Sequence, residues 1–173
     1  IKSAAELKGK TIGISTFGSE TDIAISIALK QIGLSRQDVT ISQIGGSSQR
    51  FAALSAGRID AAPLLEPGIT MAKEKGFNPL IDLAAAKTPW IFDSVVVTNT
   101  YLKGQRDTLT RFVRGYIAGA YLALSDEKKA KEVIAQKFKT GDQKVIDATY
   151  ADFKRLMPRD AAPSPEGAKN VIA

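Results

Sequence analysis

The sequence predicts an α/β lobe with a mainly parallel sheet, followed by a purely helical segment. Three observations lead there. Strand and helix patterns alternate through residues 11–65, short Gly-containing turns join them, and after about residue 101 only helical periodicity remains. Strand–helix–strand–helix–strand with short connections is the pattern of a parallel sheet with helices on its faces.

The first expected strand is 11–15 (TIGIS), after the turn-like Lys8-Gly9-Lys10. A helix follows over 19–32, where Ile23 and Ile27, and Ala24 and Ala28, share a face at i, i+4. Ser19 and Asp22 match a capping-box pattern at its start, and Gly33 supplies its stop. The second strand is 39–44 (VTISQI). Gly45-Gly46-Ser47-Ser48 then turns the chain into a helix over 48–56, ended by Gly57. The third strand lies in 59–65 (IDAAPLL) and ends at Pro63. A helix over 68–75 closes at Gly76, and 80–83 is a further short strand.

Three consecutive valines make 94–99 (SVVVTN) an expected strand. Beyond it, Leu109, Phe112, Val113, Tyr116, Ile117, Ala120, Tyr121 and Leu124 recur at alternating steps of three and one, the stripe of a long amphipathic helix. Helices follow over 127–138 and 142–156. Ser164-Pro165-Glu166 starts another, with Ser at the cap and Pro at the first helical position. The expected organisation is an α/β lobe over 1–93, a hinge strand over 94–100 and a helical part over 101–173. The chain opens on Ile1 with no signal-peptide pattern, and its last helix breaks off as Val171 and Ile172 begin an apolar face. It is therefore expected to be processed or a fragment.

The chain has 173 residues, 44% hydrophobic and 24% charged, the composition of a globular domain. It has no Cys, which excludes disulfides, thiolate catalysis and Cys metal sites. It has no His, which excludes a Ser-His-Asp triad and removes the commonest general base and transition-metal ligand. The formal charge is +6. Its basic residues are interleaved with acids, as where Lys128, Lys129 and Lys131 neighbour Asp126, Glu127 and Glu132, so a solvated surface is preferred and no nucleic acid is expected. Neither G-x-G-x-x-G nor the G-x-x-x-x-G-K-[ST] phosphate loop occurs, and no cofactor or metal is expected.

The candidate chemistry sits where strands end. Phe17-Gly18-Ser19 follows the first strand and opens the first helix. Gly45-Gly46-Ser47 follows the second strand and opens the second helix. In a parallel sheet both turns fall at the carboxyl edge, where open α/β folds bind ligands. Each helix start offers unpaired N–H groups and the positive end of a dipole, so two side by side form a cradle for an anion without any side-chain cation. For either turn alone, the turn-and-cap reading of Gly and Ser is preferred. Glu66, after the third strand, reads equally as a ligand contact for an amine or hydroxyl and as a turn residue before Pro67. Trp90 and Asp93 are cleft candidates for which packing and solvation are the preferred readings. Asp60 reads as a turn residue, and Tyr116 and Tyr121 as core.

These residues fall into consecutive blocks: 7–14 (LKGKTIGI), Gly18-Ser19, 28–34 (ALKQIGL), Asp38-Val39-Thr40, Gly45-Gly46-Ser47 and 53–62 (ALSAGRIDAA). The series resembles the solute-binding proteins of ABC importers for aliphatic sulfonates, taurine and nitrate, a superfamily that includes the NMT1/THI5-like group. Residues 94–123 resemble its returning strand and following helix more loosely. The resemblance implies a two-lobed type II periplasmic-binding fold with the ligand closed between lobes. The 1–93 lobe would then be the second lobe, and 101–173 an incomplete part of the first. It implies ligand contacts at Gly18, Ser19, Gly46 and Ser47, and at Glu66.

The function expected is an extracytoplasmic, non-enzymatic component that captures a small, anionic ligand of sulfonate, nitrate or carboxylate type. Its partners would be that ligand and a membrane permease. It would act in the periplasm, or as an extracellular lipoprotein, as a monomer when full length. The alternatives are a pyrimidine-precursor enzyme, against which the absence of His argues, and a ligand-sensing domain.

Overall fold

A computed structural model describes residues 1–83, 85, 94–158, 162 and 164–172. It divides the chain into two compact units, residues 1–88 and 89–173. Trp90 and Asp93 lie outside the described residues.

In the first unit, β1 (Thr11–Ile14) and β2 (Thr40–Gln43) pair in parallel, in register from Thr11 against Thr40 to Ile14 against Gln43. On the other side of β1, Ala61 forms a single parallel bridge to Ile12. The N–H groups of Asp60 and Ala61 donate to the Thr11 carbonyl (2.8 and 3.2 Å), and the Gly13 N–H donates to the Ala61 carbonyl (2.9 Å). The next ladder donor on this side would be residue 63, which is Pro and has no N–H. The third strand expected over 59–65 is therefore one bridge long. Asp60 accepts the Thr11 N–H at 2.8 Å, which gives it the structural role read from the sequence.

Successive residues of β1 face opposite sides. Ile12 joins Leu7 and Leu29 in one buried cluster, with Ile25 and Ile41 packed against it. On the other face, Ala53, Leu54 and Ile59 form a second cluster with Ile44 and Phe77. Helix α1 (Glu20–Gln31) thus covers one side of the sheet and α2 (Ser47–Ser55) the other. Gly13 faces the second cluster, where an added Cβ would lie 2.6 Å from Ile59 Cδ1 and 2.9 Å from Ile44 Cγ1. Only a residue without a side chain lets Ile44 and Ile59 pack this close to β1. Helix α3 (Gly68–Glu74) completes the unit. Residues 80–82 form no strand; Leu80 instead spends its side chain on the first cluster.

The second unit contains α4 (Asn99–Gly104), α5 (Arg106–Ser125), α6 (Glu127–Phe138), α7 (Gln143–Leu156) and α8 (Pro165–Ile172). The strand expected over 94–99 does not form. Residues 94–98 have no ladder partner among the described residues, Val96 is 84% exposed, and from Asn99 the chain is helical, with Thr98 Oγ1 accepting the Tyr101 N–H at 3.1 Å. β-Branched residues suit a strand only where a neighbouring strand supplies hydrogen bonds and packing.

The ends of α6 and α7 follow their caps. Asp126 accepts the Lys129 N–H (2.9 Å), and Asp142 accepts the Lys144 and Val145 N–H groups (2.9 and 3.4 Å). Ala130, Val145, Ile146 and Tyr150 are buried. Lys131 bridges Glu127 and Asp147, each at 2.6 Å, and lies over the Tyr150 ring. The stripe of α5 behaves differently from the sequence reading. Tyr116 is 50% and Tyr121 69% exposed, so neither is core. The helix touches α4 and α6, and no described residue of α5 is buried.

Candidate anion-binding site

Because β1 and β2 are parallel and in register, their C-terminal ends lie side by side and α1 and α2 start from one edge. The Ile44 and Gly45 N–H groups donate to the Ile14 carbonyl (2.9 and 3.3 Å), pinning the turn after β2 to the end of β1. The structure therefore brings Phe17, Gly18, Ser19, Gly45, Gly46 and Ser47 to the same edge.

At the start of α1, Ser19 is the cap residue, and its Oγ accepts the Asp22 N–H at 3.4 Å. The hydroxyls of Ser15, Ser19 and Thr21 stand 2.8–2.9 Å from one another, a closed ring into which the Ser15 N–H also donates (2.9 Å to Thr21 Oγ1). The capping box does not close on Ser19. The Asp22 carboxylate takes the Gly18 N–H at 2.8 Å and the Arg36 guanidinium instead. Burial pushes the Asp22 carboxyl up, but the Gly18 N–H and Arg36 outweigh it and hold it below the usual carboxylate range. The Phe17 N–H donates to Gln43 Oε1 at 2.8 Å while its ring is exposed. The first-turn N–H groups of Glu20 and Thr21 have no intrahelical acceptor.

At the start of α2, Gly46 is the cap and Ser47 is the first helical residue, so the Ser47 hydroxyl is not a cap. The backbone N–H of Gly46 is held by Gln49 Oε1 at 2.7 Å. The half-buried Ser47 hydroxyl makes no hydrogen bond among the described residues, and an added Cβ on Gly68 would lie 3.6 Å from it. Gly45 has φ 105°, and a side chain there would collide with Gln49 Oε1. Gly46 has φ −62°, and an added Cβ would make only ordinary contact, 3.6 Å from Gln49 Oε1, so the demand for glycine sits at position 45. Glu66 clamps the start of α3, accepting the Thr70 N–H (3.1 Å) and hydroxyl (3.2 Å).

One functional candidate escaped the sequence reading. Arg50, in the second turn of α2, is 5% exposed and leans back toward the start of its own helix, as helical side chains do. Its Nε donates to the Pro63 carbonyl (3.1 Å) and its Nη1 to the Gly45 carbonyl (2.6 Å). It has no ion-pair partner among the described residues. Burial pulls the guanidinium down from its ordinary value, and the Glu20 charge opposes that. A basic residue four positions after a Gly-Gly turn is the signal in the sequence.

This architecture is that of periplasmic binding proteins. The chain is similar to a solved protein from Bordetella bronchiseptica RB50 (TM-score 0.77, 22% identity, 99% of this chain and 57% of that one). It is also similar to the periplasmic aliphatic sulphonate binding protein SsuA of Escherichia coli (TM-score 0.69, 22% identity, 88% and 48%). A third similar structure is the alkanesulfonate-binding protein SsuA of Xanthomonas axonopodis pv. citri bound to MOPS (TM-score 0.69, 20% identity, 87% and 51%). The chain spans about half the length of these structures. No curated protein matches it. The model of the NMT1/THI5 like family matches residues 1–130, and the chain belongs to that family.

Proposed function

We propose that the chain is part of an extracytoplasmic solute-binding protein that captures a small anion for an ABC-type importer, without catalysis. The observation that carries this reading is the pair of helix starts at one sheet edge, beside which the Ser47 hydroxyl makes no hydrogen bond among the described residues. Two aligned helix dipoles and their free N–H groups favour a negative group at that edge. The sulfonate-binding names of two similar structures support an organic anion, with nitrate and carboxylates as the competing classes. A permease is the partner this role requires, and the periplasm its place. Among the described residues no helix is long and apolar enough to cross a membrane. In this reading residues 1–93 belong to the second lobe and the helices beyond residue 101 to the first, with Gly18, Ser19, Gly46 and Ser47 nearest the anion. Phe17 and Gly45 shape the two turns. Glu66 is held by Thr70 and serves the frame of α3 rather than the ligand.

Titration calorimetry of the full-length protein with ethanesulfonate, nitrate and acetate tests the reading. One of the three is expected to bind, and Ser47→Ala is expected to weaken it roughly ten- to a hundred-fold, the range for a hydrogen bond to a charged group. Because Ser47 is not a cap, the substitution leaves stability unchanged. No binding of any of the three anions refutes the function.

A further inference from the structure

We infer that Arg50 supplies the positive charge of the anion site, acting from beneath the Gly45-Gly46 turn; this rests on the function proposed above and adds a residue to it. Three observations carry it. The guanidinium is buried, with 5% of the residue exposed, and is tied to carbonyls at the sheet's ligand edge, those of Gly45 and Pro63. It lies toward the start of α2, where the helix dipole is already positive. Two carbonyl oxygens accept from its Nε and Nη1 but leave its charge unneutralised, since no carboxylate lies within ion-pair distance among the described residues. Glu20, at the first position of α1, is the nearby acid among the described residues whose charge opposes the effect of its burial, and it does so from beyond that distance.

A buried cation set against a positive helix end is an unfavourable arrangement that a bound anion relieves. A group whose task was only to hold the turn would not need a charge, because neutral donors satisfy carbonyls as well. The guanidinium does both. Its fork fixes the Gly45 carbonyl and hence the direction of the first N–H groups of α2, while its field, little screened by water, adds to theirs. The expectation of a cradle built from peptide dipoles alone is replaced by one with a side-chain charge below it.

The test is titration of the full-length protein and its Arg50→Lys and Arg50→Gln variants with ethanesulfonate, nitrate and acetate. Arg50→Lys is expected to keep the affinity within about three-fold and Arg50→Gln to lose more than about ten-fold, the change that goes with removing a charged contact. Gly13→Ala is the control for lost stability without lost charge; it is expected to lower the melting temperature and to leave affinity within about two-fold. A merely structural arginine would make the Lys and Gln variants equally weak. If Arg50→Gln binds as tightly as the unaltered protein, or if both variants weaken alike, the inference is overturned while the function stands. If the unaltered protein binds none of the anions, the function falls and the inference with it. Should Arg50→Gln not fold, the Arg50 Nε–H resonance of the unaltered protein decides. It is expected to shift on saturation with the bound anion, and an unmoved resonance overturns the inference.

Discussion

Gly45 and Gly46 are adjacent glycines with opposite demands. At φ 105° and against Gln49 Oε1, position 45 excludes a side chain; at φ −62° with only an ordinary 3.6 Å contact to Gln49 Oε1, position 46 accepts one. Gly45→Ala is therefore expected to cost about 1–3 kcal/mol, the range for a residue forced into sparsely populated backbone. Gly46→Ala should change stability by less than about 0.5 kcal/mol. Denaturant melts of the two variants check this, and equal losses would contradict it. Asp22 makes a second prediction. Its folded carboxyl titrates below its unfolded value, so its contribution is present at neutral pH and is lost as pH falls through the carboxylate range. Melting temperature is expected to decline from about pH 5 downward. Asp22→Asn should be less stable at pH 7 and decline less over the same window.

The helices of the second unit differ in how they use their apolar faces. Helices α6 and α7 bury Ala130, Val145, Ile146 and Tyr150 between them, whereas α5 leaves Phe112 53% and Ile117 43% exposed beside its two tyrosines. A stripe of this size on a protein surface binds hydrophobic probes or another chain. The 173-residue chain is expected to enhance the fluorescence of a hydrophobic dye, and Phe112→Gln with Tyr116→Gln to remove most of that signal. No loss in the double variant would contradict the exposure. The stripe also marks where the sequence is readable and where it is not. Helix periods and caps are local, so α6 and the start of α7 at its Asp142 cap follow directly from residues three and four apart. The sheet edge and its paired turns were equally legible, because Gly and Ser stood at each strand-to-helix junction. Partners are not local. Nothing in Val95, Val96 and Val97 says whether a strand lies beside them, and nothing in the α5 stripe says what covers it. Arg50 was invisible for a related reason: its place under the turn depends on Pro63, thirteen residues away, folding back alongside β1.

At the scale of the whole chain, the two units give ligand binding a location that can be read by exchange. Every group of the proposed cradle, from Ser15 to Arg50, lies in the unit of residues 1–88. A ligand that contacts one unit stabilises only the opening reactions that destroy its site. At one hundred times its dissociation constant it adds about 2.7 kcal/mol to such openings, which slows exchange through them about a hundred-fold. The anion is therefore expected to slow amide exchange in β1, α1, β2 and α2 of the 173-residue chain. The amides of α6 and α7, held by their own buried face and by the Lys131 bridges to Glu127 and Asp147, should exchange at unchanged rates. Within the protected set, the effect should be strongest at Glu20, Thr21, Ser47 and Ser48, whose N–H groups begin the two helices. Hydrogen exchange read by NMR at matched pH, with and without saturating anion, makes the comparison on one sample. Slowing confined to α6 and α7 would move the site off the sheet edge.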